Sequence, residues 1–139
     1  MTAKEYLRQL KTLDNVINAK LLEKERVRTM GERVTTGLSE RIQSGGGKDK
    51  VCDIVIKLTE LENDIINEID KLVDLKKEAS ELIEKMTDDK SKTVLSMYYL
   101  SNKTFEEVAD YTEMSSRWVR IIHGRALQKF QKIFQNSSS

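Results

Sequence analysis

From Asp49 to Met86 the chain contains neither glycine nor proline, while Ile54, Leu58, Leu61, Ile65, Ile69, Leu72, Ala79, Ile83 and Met86 recur at steps of mostly three and four. Such a run forms one continuous helix, about 55 Å long at roughly 1.5 Å per residue. The step of four from Ile65 to Ile69 interrupts a regular heptad as a stutter would. A helix with so narrow an apolar stripe has to be covered. The first helix, expected from Ala3 to about Val34, carries a matching stripe at Tyr6, Leu10, Leu13, Ile17 and Leu21. Folding it back through the glycine-rich stretch 43–48 gives an antiparallel, coiled-coil-like hairpin over residues 1–88.

Composition agrees with long solvated helices. The 139 residues include no proline, 34% are charged and 38% are apolar. Net charge is +1, but it is unevenly spread. Residues 1–50 hold 11 Lys/Arg against 7 Asp/Glu, residues 51–90 hold 6 against 12, and residues 91–139 hold 7 against 4. The basic first helix and acidic second helix would attract, although exposed ion pairs contribute only about 0.2–1 kcal/mol each. The single Cys52 forms no internal disulfide and reads as a small, half-buried residue in a reducing compartment. No apolar run approaches a membrane span, and MTAKEYLRQL lacks the apolar core of a signal peptide. The expected location is therefore cytoplasmic, with no membrane partner.

Residues 89–134 read as a second, all-α domain, and 135–139 as a disordered tail. Thr87 to Ser91 offers helix caps, after which Val94, Leu95, Tyr98, Tyr99 and Leu100 form the apolar side of a short helix. Residues 101–103 make a turn. Thr104 and Glu107 have the spacing of a capping box, opening a helix with Phe105, Val108, Ala109 and Tyr111 on its apolar side. Residues 112–114 turn the chain, Ser115 caps a third helix, and Val119, Ile122, Ala126 and Phe130 form its buried face. Residues 104–114 hold four acids and no base, whereas 115–132 hold Arg117, Arg120, Arg125, Lys129 and Lys132 and no acid. Two helices over a tight turn, the second one cationic, make a helix-turn-helix whose third helix suits the major groove of duplex DNA.

The stretch from Glu107 through Arg120, continued by His123-Gly-Arg-Ala-Leu-Gln-Lys-Phe, resembles the fourth region of bacterial sigma factors, which reads the −35 promoter element. The likeness covers about residues 91–132. It implies that Ser116, Arg117, Arg120 and Ile121 face the bases, and that Glu113 stands where the family has a turn glycine. Arg117 and Ile121 depart from the Glu and Gln frequent in housekeeping factors, so a standard −35 hexamer is not implied. Nothing resembles the other sigma regions, which excludes a promoter-melting factor. With its Leu-rich first helix, its SerGlyGlyGly loop and the helix Val51-x-x-Ile54-x-x-Lys57-Leu58-x-x-Leu61-Glu62-Asn63, the chain is similar over its full length to small phage and prophage proteins of Gram-positive bacteria, a group largely of unknown function. Related phage proteins with sigma-like tails act as late-gene transcription activators.

The expected DNA-binding residues are Ser116, Arg117, Trp118, Arg120, Ile121, Gly124, Arg125 and Lys129. Arg117 and Arg120 have the guanidinium geometry for guanine edges. Trp118 either leans on a phosphate or sugar or packs its ring on the hairpin. Gly124 allows close approach to DNA or to another helix, or is simply tolerated. His123, the only histidine, reads as a surface or phosphate-contacting residue. One histidine and one cysteine make no metal cluster or histidine-based triad, and the acids of residues 60–74 are scattered along a rod rather than gathered on a calcium loop. Stretch 44–48 lacks P-loop spacing. The sequence predicts no enzyme, cofactor or small-molecule substrate. It points to a DNA-binding transcription regulator, an activator by resemblance, whose hairpin dimerises or contacts RNA polymerase. A small-terminase-like DNA-packaging protein and a polymerase-docking protein that binds no DNA are the alternatives.

Overall fold

Apolar residues at helical spacing, with no proline to interrupt them, give a chain that is helical nearly throughout. The computed structural model describes residues 1–36 and 46–138. Its elements are α1 (Ala3–Thr36), α2 (Gly46–Glu84), α3 (Asp89–Leu95) running directly into a π-helical turn (Ser96–Leu100), α4 (Phe105–Thr112) and α5 (Ser116–Ser138). No strand occurs among the described residues, so the fold is all-α. Of the expected glycine-rich loop, residues 43–45 lie outside the described ones. α2 already begins at Gly46, three residues before the expected start; glycine is tolerated at a helix N-terminus. At the other end α5 continues to Ser138 instead of fraying from Gln135, with the Phe134 ring tilted against Tyr6, centroids 4.9 Å apart.

The compact units divide the chain differently from the expected boundary at 88/89. One comprises Met1–Asp14 and Leu72–Ser139, the other Asn15–Lys71. α1 and α2 therefore each contribute to both.

In the unit Asn15–Lys71, α1 and α2 run antiparallel. Lys20 pairs with Glu68 at 3.7 Å and Lys24 with Glu62 at 3.3 Å, so the partner on α2 moves back as that on α1 moves forward, and Lys57 reaches Glu23 at 3.8 Å. Gly31 stands against Ile54, whose Cγ2 lies 3.0 Å from where a Cβ would be. The hairpin thus closes within one chain. The inner face corrects the expected stripe in two places. Ile69 is 40% exposed, and Glu68 occupies the position facing α1. Leu21 is 44% exposed, while half-buried Lys20 and Lys24 stand between buried Ile17 and Val27. Counting Lys20, Lys24 and Glu68 as inner positions, both helices keep alternating steps of three and four and no stutter remains. Polar groups sit on the seam because each long aliphatic stem stays buried while its charge meets an opposite one. Cys52 is exposed, not half-buried, because it falls outside this face.

In the other unit, the first turns of α1 pack on the short helices. Ala3, Tyr6, Leu7 and Leu10 are buried, as are Leu72, Ala79, Leu82, Ile83 and Met86 from α2. Tyr6, Phe130 and Phe134 form an aromatic group, and the Ala3 amide donates to the Gln131 side-chain oxygen at 2.8 Å. Val94, Val108, Ala109, Val119 and Ile122 form the core between α3, α4 and α5. Tyr111, expected on the apolar side of α4, is 67% exposed, because α4 presents only Phe105, Val108 and Ala109 to that core.

Candidate nucleic-acid interface

α5 owes its position to two capped turns. The Thr104 hydroxyl accepts from the Glu107 amide and the Glu107 carboxylate accepts from the Thr104 amide, both at 3.1 Å, which fixes the start of α4. α4 ends at Glu113 in the left-handed conformation, φ 58° and ψ 28°. The Ser115 hydroxyl then accepts from the Trp118 amide at 3.1 Å and starts α5. Buried Val119, Ile122, Ala126 and Phe130 turn one side of α5 inward. The opposite side is left to solvent, and that side carries the cations.

Arg117, Ile121, Gly124 and Gln128 lie along the middle of the outward face, and all four are exposed. Ser116, in the first turn, is half-buried. Arg117 makes no ion pair or hydrogen bond among the described residues. A Cβ at Gly124 would meet nothing within 4 Å, so no packing inside the protein requires that glycine. Trp118 lies to one side, lining a hollow with Thr93 and Met114, and the Arg125 guanidinium stands over its ring at 5.5 Å. Its ring therefore packs beside α3 and not on the hairpin.

Two expected contacts are already engaged. Arg120 donates to a Glu106 carboxylate oxygen at 2.8 Å, and Lys129 to Asp88 at 2.8 Å. Asp88 also accepts from the Ser91 hydroxyl at 2.6 Å. The Lys129 bond and then the Ser91 bond hold the Asp88 carboxyl down to about 2. The exposed Arg120–Glu106 pair is cheap to exchange for a phosphate or a base edge.

His123 is not the surface residue the sequence suggested. It is half-buried, with Nε2 2.7 Å from the Tyr99 hydroxyl, and meets Tyr98 and Phe105 edge-on with centroids at 5.0 and 5.1 Å. Burial, then the charges of Lys4 and Lys11, lower its pKa to about 4. Tyr98 and Phe105 stack at 4.3 Å, with Lys11 over the outer face of Tyr98 at 3.9 Å and Arg120 over that of Phe105 at 5.3 Å. Lys11 also donates to the Tyr98 and Lys103 carbonyls at 2.8 and 3.2 Å, and burial lowers its pKa. Residues from α1 thus flank α5, an arrangement that the basic excess of residues 1–50 hinted at but could not place.

Among the described residues no three His, Cys, Asp or Glu side chains gather to hold a metal ion, and no helix is long and apolar enough to cross a membrane. No curated protein and no solved structure matches the chain. A family model does match: residues 34–130, more than half the chain, align with it, and the chain belongs to the family described as protein of unknown function (DUF1492).

Proposed function

We propose that the protein is a sequence-specific duplex-DNA-binding transcription regulator with α5 as its recognition helix. The observation that carries this reading is the outward face of α5. It holds Arg117, Ile121 and an unpacked Gly124 along its middle, with Arg120 on one flank and Arg125 and Lys129 on the other, and no acid from 115 to 132. A helix in the major groove meets base edges along its centre and phosphates at both rims, which is the distribution of functional groups here. The α4–turn–α5 arrangement, capped at both helix starts, supports reading this part as a helix-turn-helix. The left-handed Glu113 stands where the sigma-factor likeness has a turn glycine, which supports the same reading. That likeness, together with similarity to phage and prophage proteins, points to an activator.

The hairpin is the self-association or RNA polymerase contact of this reading. Exposed Leu22, Val55, Ile56, Ile66 and Ile69 within Asn15–Lys71 support it, being more apolar surface than a solvated rod needs.

The test is selection of parental genomic fragments on the purified protein at physiological salt, followed by footprinting. A site beside a promoter is expected, and Arg117→Ala with Arg120→Ala should erase the preference while circular dichroism stays unchanged. Unaltered site selection by that variant overturns the assignment of α5. Enrichment inside a packaging gene moves the protein to DNA packaging. Failure to bind even random duplex at low salt leaves polymerase docking without DNA.

A further inference from the structure

Beside the flank of α5 that carries Arg120 lies a cleft of about 370 Å³ within the unit formed by Met1–Asp14 and Leu72–Ser139. Its charged walls are Lys4, Arg8 and Lys11 from α1 and Arg120 from α5, with no acid among its lining residues. Its floor is the cluster of Tyr98, Tyr99, Phe105 and His123. The outer faces of Tyr98 and Phe105 are covered by Lys11 and Arg120, so no open aromatic face remains there for a base to stack on. Lys11 is committed to two backbone carbonyls, and Asp14 and Glu107 act on it through their charges. Arg120 is shared with Glu106. Lys4 and Arg8 are exposed and make no ion pair among the described residues. They are the uncommitted cations at the mouth of a site that recognises charge and not a ring.

We propose that this cleft is a seat for a phosphate group, held by Lys4, Arg8 and Arg120. On the reading given above, the group is a backbone phosphate at the rim of the groove that α5 enters, which makes α1 part of the DNA interface. The same chemistry would accept the phosphate of a free small molecule. The positive field of the cleft is felt by its neighbours: in addition to burial, Lys4 and Lys11 disfavour the protonated His123, and Arg8 favours the ionised Tyr99. A phosphate there would offset the first of these effects and make His123 easier to protonate. Because the chain has one histidine, its imidazole is a local reporter.

The experiment pairs Lys4→Ala/Arg8→Ala with the wild-type chain. Both substituted positions are exposed, and Lys11 is left in place to hold its carbonyls. Imidazole signals of His123 are followed by NMR during titration with inorganic phosphate and, separately, with a short duplex; duplex affinity is measured against salt. A response of His123 to the duplex is expected in the wild type and not in the variant. The variant should lose affinity equally for target and random duplex, and its salt slope should fall by about 0.9 for each phosphate contact removed. A response to inorganic phosphate with unchanged duplex binding upholds the seat and assigns it to a free phosphate-bearing molecule. If the wild type binds no duplex yet responds to phosphate, the transcription reading falls and the seat stands. A His123 that responds to neither ligand, or responds equally in the variant, overturns the proposal, even where the variant has lost duplex affinity.

Discussion

Glu113 spends conformational energy that a glycine would not. At φ 58° its Cβ crowds its own backbone, a cost of roughly 1–2 kcal/mol for an ordinary side chain. Glu113→Gly should therefore raise stability by about 0.5–1 kcal/mol after glycine's extra unfolded-state entropy is deducted, read as a higher urea midpoint with an unchanged slope. A lower midpoint would mean that the carboxylate makes a compensating contact. His123 gives a pH dependence of definite sign. Its folded pKa of about 4 lies below the unfolded value of about 6.5, so the unfolded chain takes up the proton first. The stability it contributes is complete above pH 6.5 and is lost progressively as pH falls to about 4. In His123→Asn the drop in urea midpoint between pH 7 and pH 4.5 should be smaller than in the wild type; an equal drop would assign the acid sensitivity to the carboxylates. Tyr6 is a third such position. Its hydroxyl is buried beside Glu78, and burial followed by the Glu78 charge pushes its ionisation upward.

At the scale of elements, the hairpin seam shows what the sequence reveals and what it hides. The apolar stripe on α2 announces a long helix and a partner, because period and length depend on residue type alone. The same stripe suggested a stutter, because Ile69 is apolar and Glu68 is not, and type was taken for position. Lys20, facing Glu68 across the seam, decides the register, and pairing across two helices is not a local property of either. The capping box at Thr104 and the cap at Ser115 were legible for the opposite reason: each is closed by atoms three residues apart. Changing Lys20 and Glu68 together to Leu should raise the thermal midpoint, since a half-buried ion pair yields less than apolar packing, by about 1 kcal/mol or more. A decrease would show that the pair, helped by Lys71 at 3.8 Å from Glu68, supplies net stability.

For the molecule as a whole, the cleft beside α5 was invisible in the sequence, because Lys4 and Arg8 stand more than a hundred residues from Arg120 and nothing in a local pattern joins them. The exposed face of α5 was legible, since it follows from one helix and its charges. The expected hairpin and carboxy-terminal domain missed that α1 has two roles. Deleting residues 1–14 should lower the melting temperature of the α3–α5 part and uncover Phe130 and Tyr99, measured by thermal circular dichroism and binding of an apolar dye. An unchanged melting profile would make α1 dispensable there.

The bond from the Ala3 amide to Gln131 spans 128 positions. Made on a ribosome, the first turns of α1 must wait with Tyr6, Leu7 and Leu10 exposed until α5 has emerged to cover them. Contacts this distant close slowly, because the loop between them costs entropy before they repay it. The α5 surface is consequently assembled late, and a chain stalled before Phe130 presents a sticky α1 to whatever holds nascent chains.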